Sequence, residues 1–161
     1  MNTVKVSLAR GFAIAAHAGQ VYESFNGAVA YTDHVFAVAE FFENFDDAEE
    51  LIVGALLHDT VEDNLKISLE LIRRTFGDKV AVTVDHLTRR ETEVYLTEYI
   101  HRVAEDENAR LIKLVDLAYN IEQCILGGAT AKNASRLERY KKAQTFLLEK
   151  GRERLAALVR V

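Results

Sequence analysis

The chain contains no proline and no tryptophan, and Cys124 is its only cysteine. A single cysteine cannot form a disulfide within the chain, which excludes a disulfide-stabilised scaffold and removes any need for an oxidising compartment. The absence of proline excludes a proline-rich linker, and the eight glycines are scattered along the sequence. No apolar stretch approaches the roughly 20 residues that a membrane span requires. We therefore expect a cytoplasmic protein that does not act at a membrane.

Acidic side chains outnumber basic ones. The 25 Asp and Glu residues against 20 Lys and Arg residues give a net charge of −5, whereas binding a nucleic-acid polymer requires a basic excess. A small phosphorylated ligand is not excluded, because a few local charges suffice to bind it. Hydrophobic residues make up 49% of the chain, which is a globular composition, and no repeat marks a second domain. Residues 1–161 are thus predicted to form one domain.

Apolar residues recur at helical spacing along nearly the whole chain, which predicts an all-α bundle of about eight helices. The valine-rich residues 80–84 would also suit a strand, because β-branched side chains favour extended backbone. Residues 20–30 hold no lasting periodicity and are predicted to form a loop. Helices are predicted over residues 3–18, 32–44, 46–60, 68–76, 78–89, 91–105, 108–125 and 133–149.

One predicted helix is apolar on every side and then ends in ionisable residues. The sequence LIVGALL (51–57) surrounds the helix axis, which is typical of a helix in the protein interior. It is followed by four ionisable residues that, at about 100° per residue, all point into one arc. Burying several such groups is costly unless something pairs them, and a divalent cation is the simplest compensation for this much negative charge. The four residues are His58, Asp59, Glu62 and Asp63.

A second apolar helix carries Lys113, Asp116 and Asn120. Because these residues are spaced i, i+3 and i+7, they fall within about 60° of one another around the helix axis. This pattern predicts a second wall of the same polar pocket. His34, near the start of the helix predicted from residue 32, is the third element.

Taken singly, each of these features has an ordinary explanation. A lone histidine such as His34 is usually a partnered core or surface residue, and Lys113 with Asp116 is compatible with a solvated salt bridge. The run 62–64 is compatible with an acidic helix end. The joint order of these residues along the chain argues for a site instead. The remaining histidines are interpreted as structural residues: His17, His86 and His101.

The order of these residues resembles that of the HD-domain metal-dependent phosphohydrolases. His34, His58, Asp59 and Asp116 follow one another at separations of 24, 1 and 57 residues. The surrounding sequence is similar to the hydrolase half of RelA/SpoT proteins, and at this length to the stand-alone small alarmone hydrolases, the group that includes the metazoan SpoT homologue. The similarity is strongest over residues 5–150. It is carried by AIAAHAGQ (13–20), AYTDH (30–34), ALLHDTVED (55–63), FGDKV (76–80) and KLVDLAYN (113–120).

The resemblance implies a catalytic metal and a reaction. The reaction is hydrolysis of the 3′-diphosphate of guanosine tetra- or pentaphosphate, with release of pyrophosphate. Glu62 is expected to orient or deprotonate the attacking water, and Asp63 to assist by hydrogen bonding or by protonating the leaving oxygen. The implied metal is one Mn²⁺ ion, held by His34, His58, Asp59 and Asp116.

The resemblance also implies contacts to the nucleotide. Asn120 is expected to contact it, as are Arg136 and Tyr140, which lie one turn apart in SRLERY (135–140). Lys113 is expected to balance the local carboxylates or to meet a phosphate.

The chain departs from the family pattern around the substrate. No lysine or arginine lies between Gln20 and His34, where the family carries adjacent basic residues that help to hold the purine or the phosphates. Ala30 stands in place of a proline, and Glu122 occupies a position that is often arginine. The preference for guanine or adenine is therefore left open.

Two other functions remain as alternatives. One is an HD phosphohydrolase that acts on another nucleotide, for example a 5′-nucleotidase. The other is a catalytically silent nucleotide-sensing module that keeps its metal for stability. The apolar residues near the carboxyl terminus either cover a partner subunit, which would make a homodimer, or pack back on the bundle; they are Leu155, Ala156, Leu158 and Val159.

Overall fold

Helices make up most of the structure, as the hydrophobic spacing predicts, so the expectation of an all-α fold is confirmed. The computed structural model describes residues 3–159, and for residues 153–159 it describes the helical backbone alone. The apolar side chains proposed above to cover a partner subunit, including Leu155 and Leu158, therefore lie outside the described residues. The helices are α1 (Val4–Ala16), α2 (Tyr31–Phe42), α3 (Glu49–Leu57), α4 (Thr60–Asp63), α5 (Leu69–Phe76), α6 (Asp78–Leu87), α7 (Ile100–Val103), α8 (Glu107–Leu126) and α9 (Ala131–Val159).

Helix α3 lies at the centre of the bundle. It packs against α1, α2, α6 and α8, and its apolar side chains, including Ile52 and Leu56, are fully buried. Burying an aliphatic side chain of this size contributes roughly 1.5–3 kcal/mol, so α3 anchors the core. The interior position predicted for residues 51–57 is confirmed, and it carries the residues after Leu57 into the protein.

Residues 20–30 form a β-hairpin, so the prediction of a loop was wrong. Strand β1 (Val21–Ser24) pairs antiparallel with β2 (Gly27–Ala30), and Gly27 takes a positive φ of 109° at the turn. Strands of four residues that are largely exposed leave no alternating apolar pattern to detect. Contacts from α8 hold the hairpin in place, because the Gln123 Oε1 atom accepts hydrogen bonds from the Ser24 hydroxyl and from the backbone N–H of Phe25.

The predicted helix over residues 91–105 is shorter than expected. A π-helical turn runs over Tyr95–Tyr99 and continues into α7, while the residues before it are not helical. Arg102 explains the difference, because its guanidinium donates to the backbone carbonyls of Asp85 and Thr88 and to the Glu93 carboxylate. These bonds fasten the segment 88–93 as a loop.

Two further boundaries differ from the prediction. The helix expected over residues 46–60 begins at Glu49 and is interrupted after Leu57, before the short α4. Helix α9 runs from Ala131 to Val159 and so extends beyond the predicted 133–149. Within residues 3–159, no helix combines the length and the apolar character that crossing a membrane requires.

We expect Gly54→Ala to destabilise the protein although Ala is the better helix former. An added Cβ at residue 54 would lie 2.9 Å from Ile112 Cδ1 and 3.3 Å from Thr83 Cγ2, so either these buried side chains or α3 itself would have to shift. Overpacking of this kind costs about 1–3 kcal/mol. The matched control is Gly11→Ala in α1, where no atom lies within 4 Å and a gain of about 0.5–1 kcal/mol is expected. Urea unfolding measures both free energies; equal effects would contradict the close packing of α3 on α8.

Candidate metal and catalytic site

Three helices bring two histidines and two aspartates together inside the bundle. His34 lies in the first turn of α2, His58 and Asp59 follow the end of α3, and Asp116 lies in the middle of α8. Both imidazoles and the Asp116 carboxylate are buried. Their arrangement therefore depends on the packing of α2 and α8 against the central helix.

The potential ligand atoms lie close together. His58 Nε2 is 3.1 Å from Asp59 Oδ2, and His34 Nε2 is 3.8 Å from the same oxygen and 3.3 Å from Asp116 Oδ1. Among the described residues, one ligand atom each from His34, His58 and Asp59 lie within 4.8 Å of one another. The residues singled out by their order in the sequence therefore lie close together in the structure.

The hydrogen bonds of the imidazoles suit a metal site. His58 Nδ1 lies 2.7 Å from the carbonyl oxygen of Ala55, and because a carbonyl can only accept, the proton is on Nδ1. The Nε2 atom of His58 is buried, makes no hydrogen bond within the described residues and faces Asp59. An imidazole held in this way by its other nitrogen is typical of a metal ligand. Two imidazoles and two carboxylates form a mixed nitrogen and oxygen donor set that fits a divalent cation.

Lys113 balances part of the negative charge. Its Nζ atom lies 2.8 Å from Asp116 Oδ2 and 5.3 Å from the centroid of the Tyr99 ring. Burial alone would raise the pKa of Asp116, but Lys113 and His34 outweigh burial and hold that pKa well below its usual range. Burial likewise opposes the charge on Lys113, and Asp116 raises the pKa of the lysine above its ordinary value. The prediction that Lys113 balances the local carboxylates agrees with this geometry.

The pKa values of His58 and Asp59 shift in opposite directions. Burial alone would lower the pKa of His58, but the charges of Asp59 and Asp116 raise it to about 9. Burial alone would raise the pKa of Asp59, but His58 outweighs it and lowers that pKa below the usual range. In the absence of a metal, the proton on His58 therefore takes over part of the charge balance.

Three tyrosines that the sequence analysis did not select surround the cluster. The Tyr31 hydroxyl donates to Asp59 Oδ2 at 2.8 Å, and Tyr119 lies against His34. Tyr22, on β1, stacks on His34 with ring centroids 4.7 Å apart. Tyr22 was missed because the hairpin itself was not predicted. Tyr31 lies three residues before His34 in the AYTDH segment, and that position was the available signal.

Asn120 is engaged within the protein. Its Oδ1 atom accepts a hydrogen bond from the Tyr22 hydroxyl at 2.7 Å, and its Nδ2 atom donates to Asp116. Sequence reasoning expected Asn120 to contact the nucleotide. In the structure, Asn120 connects β1 to the metal-site aspartate.

Glu62 and Asp63, on α4, point to different surroundings. The Glu62 carboxylate lines the same cavity as Asp59, and its Oε2 atom accepts the backbone N–H of Arg89 at 2.7 Å. Asp63 is not among the residues that line this cavity, and its backbone carbonyl accepts from the side chain of Gln20. Both carboxylates remain open to solvent, yet partial loss of water raises both pKa values.

We call the four candidate ligands His34, His58, Asp59 and Asp116 the metal cluster. A cavity of about 370 Å³ opens over it and is lined by His34, Asp59 and Asp116. Of the residues expected to contact the nucleotide, Lys113, Asn120, Arg136 and Tyr140 all line it. A second cavity of about 420 Å³ lies beside it between the hairpin, α8 and α9, and shares Asn120, Arg136 and Tyr140 with the first. The predicted binding residues therefore surround one continuous region.

We expect binding of a divalent cation to release a proton at neutral pH. His58, with its pKa raised to about 9, carries a proton at pH 7 and must lose it to coordinate a metal. The metal affinity should therefore rise by about tenfold per pH unit from pH 7 towards pH 9 and then level off. Titration calorimetry in two buffers with different ionisation enthalpies counts the released protons.

His86→Gln is the control for this measurement. His86 lies on α6, and its Nδ1 atom contacts the carbonyl oxygen of Val82, so the variant should release the same number of protons. If the unsubstituted protein releases no proton when it binds the metal, His58 is excluded as a ligand that loses a proton on binding.

The chain is similar to curated proteins over about two thirds of its length. It is 32% identical over 122 residues to a probable GTP pyrophosphokinase of Mycobacterium leprae, which covers 70% of this chain and 15% of that protein. It is 32% identical over 116 residues to a guanosine-3′,5′-bis(diphosphate) 3′-pyrophosphohydrolase of Haemophilus influenzae, which covers 66% of this chain and 16% of that protein. The chain thus spans about a sixth of these relatives.

A solved structure has the same fold. It belongs to a metazoan orthologue of SpoT described as hydrolysing ppGpp, and it matches with a TM-score of 0.76 and 23% identity, covering 96% of this chain and 97% of that one. A family model described as HD domain matches residues 9–114, a range that includes His34, His58 and Asp59. Since this match covers more than half of the chain, the protein belongs to the HD-domain family.

Proposed function

We propose that this chain is a Mn²⁺-dependent 3′-pyrophosphohydrolase of a nucleotide alarmone of the (p)ppGpp type. The substrate is guanosine tetra- or pentaphosphate or the adenine analogue, and the products are pyrophosphate and the nucleotide that has lost its 3′-diphosphate. One observation carries the proposal: His34, Asp59 and Asp116 line one cavity together with Glu62 and Lys113. Residues 1–161 would form a single hydrolase domain that acts on this small molecule in the cytoplasm.

The similarities support this choice of reaction. The Haemophilus influenzae relative is named a pyrophosphohydrolase, and the metazoan protein with the same fold is described as hydrolysing ppGpp. The chain carries the HD residues and the downstream KLVDLAYN segment on which the resemblance rests. The combination favours hydrolysis of a 3′-diphosphate over hydrolysis of an arbitrary phosphate ester.

The metal would be held by His34, His58, Asp59 and Asp116. When bound, it supplies a lowered pKa for a coordinated water and neutralises charge on the phosphate oxygens. Tyr31 holds the Asp59 carboxylate by its hydroxyl, and Asn120 and Lys113 hold that of Asp116. These contacts fix the directions of both carboxylates before a substrate arrives.

Glu62 is the proposed general base. The hydrogen bond from the Arg89 backbone is the only one to its carboxylate within the described residues, so the carboxylate keeps acceptor capacity towards the cavity. Burial raises the pKa of Glu62, which makes its carboxylate a stronger base. Glu62 would take the proton of the water that attacks the phosphorus atom.

Asp63 would assist from outside the cavity lining. Burial raises its pKa, and Tyr31 and His17 oppose that increase. A carboxyl group with a raised pKa holds a proton more readily, which suits the expected role of supplying a hydrogen bond or a proton to the leaving oxygen. Tyr31 contacts the carboxylates of both Asp59 and Asp63, so it links Asp63 to the site.

The nucleoside would occupy the second cavity, beside the hairpin. Arg136 and Tyr140 line both cavities, so they would contact the nucleotide where the ribose joins the base to the phosphates. Amide side chains of Gln123 and Asn133 line the second cavity, and an amide can donate and accept with either purine. The proposal therefore covers both guanine and adenine alarmones.

We expect Glu62→Gln to lower kcat by about 100-fold or more, because general acid–base groups contribute 10²–10⁴-fold. Purified protein with Mn²⁺ is incubated separately with the guanosine and the adenosine 3′-diphosphate alarmones, and the products are separated by chromatography. Pyrophosphate should be released from at least one substrate, and chelation of the metal should abolish its release. The metal should still raise the melting temperature of the Glu62→Gln protein.

Glu70→Gln is the matched control. Glu70 lies on α5 and pairs with Arg73 and Arg74 on the surface, so kcat should not change. Release of orthophosphate instead of pyrophosphate would assign the chain to a monophosphatase such as a 5′-nucleotidase. Nucleotide binding that raises the melting temperature without turnover would assign it to a silent sensing module.

A further inference from the structure

The cationic side chains that line this cavity differ in whether they pair with a carboxylate. Lys113 is buried and paired with Asp116, and Arg136 lies 3.8 Å from the Glu23 carboxylate. Arg139 lines the same cavity, and in the part of the chain that the structure describes its guanidinium has no hydrogen bond and no ion pair. The Arg89 side chain donates to one backbone carbonyl, that of Glu93, and meets no carboxylate among those residues. Two guanidinium groups are therefore available to an anion in the cavity.

The two guanidinium groups flank one aromatic ring. Arg139 Cζ lies 5.0 Å and Arg89 Cζ 5.8 Å from the centroid of the Tyr95 ring, and Arg139 also lies 5.3 Å from the centroid of Tyr140. Contact with an aromatic face restrains a guanidinium while leaving its N–H groups free for hydrogen bonding. Guanidinium groups bind phosphate oxygens with two parallel hydrogen bonds, so the pair suits a phosphate chain.

Arg139 is exposed and stands next to the packed face of α9. Arg136, Arg139, Tyr140 and Ala143 occupy positions i, i+3, i+4 and i+7 of α9, and Ala143 is fully buried. Arg139 therefore lies at the edge of the face by which α9 packs on the bundle. An exposed guanidinium at this edge is accessible to solvent and lines the cavity.

The cavity has two chemically different walls. The hairpin wall contributes the Tyr22 ring and the Glu23 carboxylate, and no lysine or arginine lies between Gln20 and His34. The other wall is formed by α9 and by the segment after α6, and it contributes the positive charges of Arg139 and Arg89. Phosphates are repelled by a carboxylate and attracted by guanidinium groups, which sets the direction of a bound nucleotide.

We infer that Arg139 and Arg89 form a subsite, here called the arginine pair, for the 5′-phosphate chain of the nucleotide. This rests on the proposed function, in which the 3′-diphosphate lies at the metal cluster. Because the ribose separates the 3′ and 5′ phosphates, the 5′ chain of such a nucleotide must reach another wall of the cavity. Arg89 lies beside the reacting centre, since its backbone binds Glu62. The arginine pair makes the enzyme selective for 5′-diphosphorylated substrates.

The test compares three substrates with the same base and the same 3′-diphosphate, which carry a 5′-hydroxyl, a 5′-monophosphate or a 5′-diphosphate. For the unsubstituted protein, kcat/KM should be about 100-fold higher with the 5′-diphosphate than with the 5′-hydroxyl, as expected for two charge-assisted contacts. Arg139→Gln should reduce that ratio to about tenfold, through KM and with kcat unchanged, because the contact is equal in the ground and transition states. The double variant with Arg89→Gln should reduce it to within about threefold.

Arg90→Gln is the matched control. Arg90 neighbours Arg89 but pairs with Asp85 and Glu93 and does not line the cavity. The variant should therefore show the same ratio of kcat/KM values between the 5′-diphosphate and 5′-hydroxyl substrates as the unsubstituted protein. Equal kcat/KM values for all three substrates would overturn the inference and leave the proposed function intact.

A binding measurement separates the inference from turnover. GDP and ADP, which lack a 3′-phosphate, are titrated into the protein in the presence of a chelator. Arg139→Gln should weaken this binding about tenfold, and rising salt should reduce the difference. Unchanged binding in the variant would overturn the inference whatever the activity. Absence of hydrolysis of any 3′-diphosphate would overturn the proposed function, while the binding difference would still support the arginine pair as a site for a phosphate chain.

Discussion

The charge balance at the end of α3 is the constraint on which the rest of the structure depends. The apolar part of α3, residues 51–57, carries His58 and Asp59 into the interior, where α8 adds Asp116 and α2 adds His34. Buried carboxylates are tolerated when opposite charges and hydrogen bonds replace the lost water. Lys113, the two imidazoles and the Tyr31 hydroxyl meet that requirement. The helices around α3 are therefore arranged for charge balance as well as for apolar contact.

The roles of the residues in the site follow from how deeply their side chains are buried. His34, His58 and Asp116 are buried, whereas Glu62, Arg89 and Arg139 are exposed side chains that line the cavity. Depth fixes the directions of the coordinating groups, and the open position of Glu62 leaves it accessible to water and substrate. A rigid interior thus supports chemistry at its edge, and recognition is left to side chains that can be exchanged at little cost to the fold.

Much of this could be predicted from the sequence, because the strongest signals were physical conflicts. A helix apolar on every side had to be interior, and ionisable residues at its end had to be paired, so the cluster of His34, His58, Asp59 and Asp116 was predictable. The hairpin was not, since short exposed strands leave no alternating pattern. Tyr22 was missed with it. The loop before Tyr95 was also unpredictable, because it depends on the long-range hydrogen bonds of Arg102 to backbone carbonyls.

The stacking of Tyr22 on His34 ties a surface hairpin to the interior. Hairpins at a protein surface usually tolerate sequence change, because their side chains face water. Here one strand residue also bonds Asn120, which in turn bonds Asp116. A change at Tyr22 will therefore also disturb the hydrogen bonds that orient Asp116. Substitutions in this hairpin are therefore expected to be tolerated best when they are paired with compensating changes in α8.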